Sequence, residues 1–202
     1  THDVAVLTML GLAPRTMAGY AGTVALSATI YNFDIDLSDV DRQIYTPLSF
    51  RIARHPSETE EYLVTRVLAY CLEYTEGIAF SAGLAEPDAP ALAVRDLAGA
   101  LRVWIEIGAP DALRLHKASK AAPRVVVYTH KNAPLLVRQW VGERIHRAAD
   151  VELYAFDREL IDGIAARLQR RTALSLTITD RHLYASVSGE TIAGAVTRYP
   201  LA

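Results

Sequence analysis

Residues 101–107, LRVWIEI, alternate without a break: Leu101, Val103, Ile105 and Ile107 fall on one side, Arg102, Trp104 and Glu106 on the other. A period of two is the mark of a strand, because successive side chains point to opposite faces. Glu106 therefore stands at the end of the strand, on the face opposite the aliphatic row. Gly108 ends the strand, and Ala109-Pro110-Asp111 opens a helix with Pro110 near its first turn, where a missing amide proton is tolerated. Lys117 and Lys120 follow on that helix. RVVVYT (124–129) is an almost continuous apolar run, the pattern of a buried parallel strand. The stretch 96–130 thus reads as strand, short helix, strand.

Asp96 precedes this strand, with Gly99 between it and the alternating run. An aspartate, an acid at a strand end and a lysine close by form an arrangement suited to a divalent metal. Hard cations such as Mg²⁺ take one or two carboxylates together with waters and phosphate oxygens. Such an ion generates a nucleophile from water and offsets charge on a scissile phosphate, and a nearby ammonium supports the same charge. The plain alternative is that Asp96 caps a turn and Glu106 is a solvated strand residue.

Upstream, VALSATIYNFDIDL and QIYTPLSFRIA both alternate, and the polar SDVD between them makes the pair an antiparallel hairpin. Asp34, Asp36, Asp39 and Asp41 do not form a calcium loop of the EF-hand type, whose sixth-position glycine and twelfth-position glutamate are missing. HPSETEEYLVTRVLAYCLEY is a long helix, with Ser57 and Glu60 at capping-box spacing. Val64, Val67, Leu68, Cys71 and Thr75 are its inner stripe, which makes Cys71 a packed small hydrophobe. Glu58 and Glu61, three apart, border the buried face in the first turn, where acids also suit the helix dipole. IAFSAGL is one short strand, and EPDAPALAVRD reads as a loop into Asp96. Asp88, in the Pro87-Asp88 pair, competes with Asp96 as the partner of Glu106; Asp96 is preferred because it abuts the strand. Downstream follow an amphipathic helix over 133–147, a strand VELYAF, a helix DRELIDGIAARLQRR and short C-terminal strands.

The formal net charge of −2 argues against a chain that is basic throughout, but its distribution is uneven. From Arg114 to Arg147 eight Lys/Arg face a single acid, Glu143. That local bias attracts phosphate, with Lys120, Arg138 and Arg144 as candidate nucleic-acid contacts, though an ordinary solvated surface has the same look. Apolar residues make 51% of the chain, enough to bury a sizeable core. The single cysteine precludes an internal disulfide, and nothing suggests a cysteine-based metal site. No apolar run reaches membrane-spanning length, and a cytoplasmic location is the expectation. Walker, GxGxxG, GxSxG and HExxH signatures are absent. Oligomeric state and substrate preference leave no mark.

VALSATIY, ARHPSETEE, DLAGALRVWIEIGAPD, HKASK and RVVVYT, in that order, resemble the YaeQ family, a bacterial family whose fold resembles the PD-(D/E)XK nuclease superfamily. The resemblance implies an α/β fold: a mixed, restriction-endonuclease-like sheet flanked by helices, with an N-terminal β-hairpin and C-terminal strands added. Residues 24–202 would form the single domain and residues 1–23 an extension outside it. It further implies that Asp96 and Glu106 hold Mg²⁺ or Mn²⁺, with the Ile107 carbonyl as third ligand. Gly108 stands where the superfamily's triplet has lysine, so Lys117 becomes the migrated replacement that orients the attacking water. Glu61 or Glu58 would supply the acid of the first helix. The implied activity is metal-dependent hydrolysis of DNA or RNA; the departure at Gly108 keeps open a non-catalytic module that binds nucleic acid or protein.

Overall fold

The computed structural model describes residues 28–81 and 88–201. The extension 1–23 lies outside the described residues. The described residues form a mixed α/β fold built on one ten-stranded sheet and four α-helices.

The N-terminal hairpin forms as expected: β1 (Thr29–Asp39) and β2 (Ile44–Arg54) pair antiparallel along their whole length. Its turn falls at residues 40–43, where Gln43 takes φ 58°. Asp39, at the end of β1, is buried and receives Arg42 Nε at 2.6 Å. The remaining strands are β3 (Ile78–Phe80), β4 (Leu92–Arg95), β5 (Leu101–Ile107), β6 (Arg124–Thr129), β7 (Val151–Phe156), β8 (Arg171–Thr179), β9 (His182–Val187) and β10 (Glu190–Tyr199). Their order across the sheet is β2-β1-β8-β9-β10-β7-β6-β5-β4-β3. β6 lies parallel to both β5 and β7, as its continuous apolar run indicates.

The helices α1 (Glu60–Leu72), α2 (Ala112–Ala121), α3 (Ala133–Trp140) and α4 (Arg158–Ala165) divide between two faces. α1 and α4 cover the face that carries Ile105 and Ile107. α2 and α3 cover the other, with Leu115, Leu136 and Trp140 packed around Trp104. Arg102 is bulged between the pairs Val94↔Val103 and Arg95↔Leu101, so Leu101 turns from the aliphatic row to the Trp104 side. The sheet also curls. Its two edge strands meet through Phe50 and Phe80, 5.1 Å apart, with Tyr70 of α1 against both. α1 is consequently buried around most of its circumference, not along one stripe, and even Thr65 and Arg66 are inside.

Several local expectations change. The cap of α1 is Thr59, which accepts from the Tyr62 amide, so Ser57 and Glu60 make no capping box; Ser57 instead bonds the His55 ring. Residues 92–95 are a strand, not a loop. α3 ends at Trp140, short of Arg147, whose left-handed backbone lets its guanidinium reach the carbonyls of Ser119 and Ala122 at the end of α2. No helix among the described residues is long and apolar enough to cross a membrane.

Candidate active site

β4 and β5 are the two arms of an antiparallel hairpin, and this decides which acid lies beside Glu106. Asp96 sits in the hairpin's turn: its Oδ1 accepts from the amides of Ala98 and Ala100, and Oδ2 meets Arg102 Nε at 2.9 Å. Glu106 is at the far end of β5. Five residues of strand, about 16 Å at 3.3 Å per residue, separate Leu101 from Glu106. Asp96 and Glu106 therefore do not converge, and the metal pair read from sequence is corrected here: Asp96 is a turn cap.

Asp88 occupies the open end instead. The β4–β5 pairing closes on Leu92↔Ile105, which brings the residues before β4 next to the end of β5. One guanidinium joins them: Arg114 gives Nε to Glu106 Oε1 at 2.7 Å and Nη2 to the carbonyl of Ala89 at 2.6 Å. Lys117, one turn further along α2, pairs with the exposed carboxylate of Asp88. Asp111 starts α2 by accepting the Arg114 amide at 2.7 Å, which fixes the phase of the helix. Arg114 and Lys117 then share its face at a spacing of three. Arg114 and Asp88 were within reach of the sequence; the missing signal was the short strand Leu92–Arg95, which turns DLAGA into a hairpin bend and exchanges the two aspartates' positions.

Glu106 is only 4% exposed. Trp104 Nε1 donates to the same Oε1 that Arg114 holds, and the Arg114 guanidinium lies 5.8 Å from the centroid of the Trp104 ring. Trp104 is thus packed under α2 and does not present a stacking face. Burial raises the Glu106 carboxyl above its ordinary range, outweighing Arg114 and Trp104, which pull it down. Asp88, on the surface, is held below its range chiefly by Lys117.

The two acids of the first helix are already committed. Glu58 receives both carboxylate contacts of Arg66 Nη1 at 3.2 Å and the His55 amide at 3.1 Å. Glu61 is lowered by its own backbone amide and then by the Thr59 hydroxyl. Neither bonds a residue of the Asp88–Glu106 corner. Cys71 is fully buried and burial pushes its thiol up to about 12, so it is inert packing. Lys120, Arg138 and Arg144 are exposed; Arg124, by contrast, is consumed between Glu73 and Glu152. Among the described residues no three His, Cys, Asp or Glu side chains gather into a metal-ligand cluster.

A curled ten-stranded sheet with a βαβ unit, with a Glu106–Arg114 pair and an Asp88–Lys117 pair at the open end of its β4–β5 hairpin, defines the class of protein. The particular family follows from comparison with known proteins. The family model for YaeQ protein matches residues 24–195, and the chain belongs to the YaeQ family. It is 32% identical over 164 residues to the Escherichia coli K12 protein named "Uncharacterized protein YaeQ", covering 81% of this chain and 91% of that one. The Salmonella typhi protein of the same name is 29% identical over 164 residues, with the same coverage of 81% and 91%. Crystal structures of YaeQ proteins show the same fold. That from Xanthomonas axonopodis pv. citri matches at TM-score 0.78 and 26% identity, covering 86% of this chain and 99% of that one. That from Pseudomonas syringae matches at TM-score 0.77 and 28% identity, covering 85% and 95%.

Proposed function

We propose that this chain is a nuclease-like phosphodiesterase acting on nucleic acid, with the open end of the β4–β5 hairpin as its reacting corner. The observation that carries the reading is that Arg114 ties Glu106 to the Ala89 carbonyl, while Lys117, one turn along the same helix, pairs with Asp88 next to Ala89. Two acids and a lysine beside a β5–α2–β6 crossover are the set that the PD-(D/E)XK superfamily uses. A restriction-endonuclease-like origin of this part of the sheet belongs to the same proposal. Asp88 takes the role that its neighbour in sequence, Asp96, would otherwise have had, and the lysine comes from α2.

The donor types, carboxylates and a carbonyl, are those that Mg²⁺ or Mn²⁺ takes. Asp88 and Glu106 offer hard oxygens, and the β4–β5 pairing stops at Ile105, so Ile107 lies beyond the ladder on that side. Two carboxylates and a carbonyl suffice for an ion that keeps several of its waters. When bound, such an ion supplies Lewis-acid polarisation of the phosphate and a more acidic water. The chain's own cations do the rest. Arg114 holds Glu106 and the Ala89 carbonyl in place, and Lys117 orients the attacking water and offsets charge on the phosphoryl group. The water oxygen bonds to phosphorus as the ester P–O bond breaks; solvent takes the water's proton and protonates the leaving oxygen. Lys120, Arg138 and Arg144 add a long-range attraction for DNA or RNA.

A second reading has its own support. Gly108, at φ +85°, stands where the triplet's lysine would be, and Arg114 already balances Glu106. Those features favour a non-catalytic module that binds nucleic acid or protein. Single- and double-stranded DNA and RNA incubated with Mg²⁺ or Mn²⁺ separate the two. Cleavage abolished by chelation and reduced roughly a hundredfold by Lys117→Gln is the expected result. Binding without cleavage of any substrate would move the conclusion to the second reading.

A further inference from the structure

Two residues beyond Glu106 the chain enters a separate cleft of about 290 Å³, lined by Thr59, Tyr62, Gly108, Ala109, His130 and Lys131 among others. That volume is near the lower end of ligand pockets, about 300–1,000 Å³. Gly108 lines it at ordinary contact distance from the Tyr62 ring, which a Cβ there would meet at 3.5 Å. The charges around the cleft are settled one by one. Glu58 is matched by Arg66, and Glu61 is held by its own amide and Thr59. Thr65 gives its hydroxyl proton to the Glu61 carbonyl at 2.7 Å and takes the Nδ1 proton of His130 at 3.0 Å. His130 therefore forms a neutral wall, and burial holds its pKa down to about 4. Lys131 is exposed, and the charge it acts on is the nearby Glu61 carboxylate, without a close ion pair among the described residues. The helix dipole adds little, since Thr59 and Glu61 already use the first amides of α1. What remains is one exposed cation, Lys131, with no close ion pair among the described residues and only the Glu61 carboxylate acting on it at longer range, beside an aromatic ring; Glu106 is close enough to act on the Tyr62 phenol electrostatically.

We propose that this cleft is a subsite for one nucleoside-phosphate unit, with Lys131 on the phosphate and Tyr62 against the ring. The inference rests on the nucleic-acid reading above and adds a place for the nucleotide next to the bond that is cut. An aromatic ring accepts any base face, so it supplies affinity without a sequence preference. Lys131 supplies the requirement for a phosphate.

The test uses the full chain without divalent metal, so that no cleavage intervenes. Amide spectra are followed while adenosine 5′-monophosphate, adenosine or inorganic phosphate is added. The monophosphate should shift the amides of Gly108, Ala109 and Lys131 and bind about tenfold more tightly than adenosine, the worth of one charge-assisted hydrogen bond. Lys131→Gln, a surface change, should erase that advantage and leave adenosine binding alone. Tyr62→Phe, which keeps the ring, should retain binding. Equal affinity for adenosine and its monophosphate would overturn the proposal. So would an unchanged affinity in Lys131→Gln, or shifts confined to α2 and α3. Parallel titrations with short oligonucleotides, with and without a 5′-phosphate, distinguish a strand end from a free nucleotide as the source of the phosphate. Asp88→Asn should bind the monophosphate as the wild type does. Nucleotide binding without cleavage of any substrate would then retire the nuclease reading and keep the subsite. Cleavage without this nucleotide binding would do the reverse.

Discussion

At Glu106 burial and pairing pull against each other. The carboxylate is 4% exposed and held by Arg114 Nε and Trp104 Nε1, yet burial leaves its pKa above the ordinary 4.5. Removing Arg114 strands a buried charge, so Arg114→Ala should lower stability by about 3 kcal/mol in urea denaturation at pH 7. A loss under about 1 kcal/mol would mean that Glu106 finds another partner. The pH dependence has a definite sign. Between 4.5 and the raised folded value the folded protein keeps a proton that the unfolded chain has released. The contribution of Glu106 is therefore full below the unfolded value and falls as pH rises through the folded one. Relative to wild type, Glu106→Gln should gain stability across that rise. A difference that does not change with pH would show that Glu106 titrates alike in both states.

The β4–β5 hairpin sets how much of the site could be read from sequence. LRVWIEI makes the strand legible and puts Glu106 on the face opposite Val103, Ile105 and Ile107, whereas the bulge at Arg102 that moves Leu101 off that row leaves no mark in the alternation. The four residues Leu92–Arg95 have too short a run to separate a strand from a loop by periodicity. Without that strand, nearness in sequence favoured Asp96; with it, antiparallel pairing carries Asp96 to one end and the segment of Asp88 to the other. Arg114 escaped for a related reason, since its partners lie on β5 and before β4, and no helical pattern names them. Gly108 belongs to the same element. Its φ of +85° suits glycine, and the Tyr62 ring is 3.5 Å from its missing Cβ. Gly108→Lys should therefore cost about 1–2 kcal/mol by thermal or urea unfolding and should not replace Lys117 in any cleavage assay. Activity of Gly108→Lys combined with Lys117→Gln would show that the triplet position is usable after all.

On the scale of the whole molecule, α1 is the pin around which the sheet curls. Most strands and helices were legible from periodicity, whereas the meeting of β2 and β3 was not, because the packing of Phe50, Phe80 and Tyr70 on one another joins three elements far apart in sequence. Phe80→Ala should destabilise by about 2 kcal/mol, less than the roughly 3–5 of a fully buried phenylalanine. Hydrogen exchange should quicken first in β3 and β4, the strands that carry the Asp88 segment to Glu106. Uniform quickening across the sheet would mean that the edges do not close independently. The central claim is that Asp88, not Asp96, completes the corner with Glu106 and Lys117. Asparagine at position 96 keeps an oxygen for the Ala98 and Ala100 amides and gives up only an exposed pair with Arg102, worth about 0–1 kcal/mol. The most direct measurement is metal-dependent cleavage of one DNA or RNA substrate by the wild type, Asp88→Asn and Asp96→Asn side by side. The account predicts a loss of roughly a hundredfold or more in Asp88→Asn and near wild-type rates in Asp96→Asn; loss in Asp96→Asn with Asp88→Asn still active would contradict it.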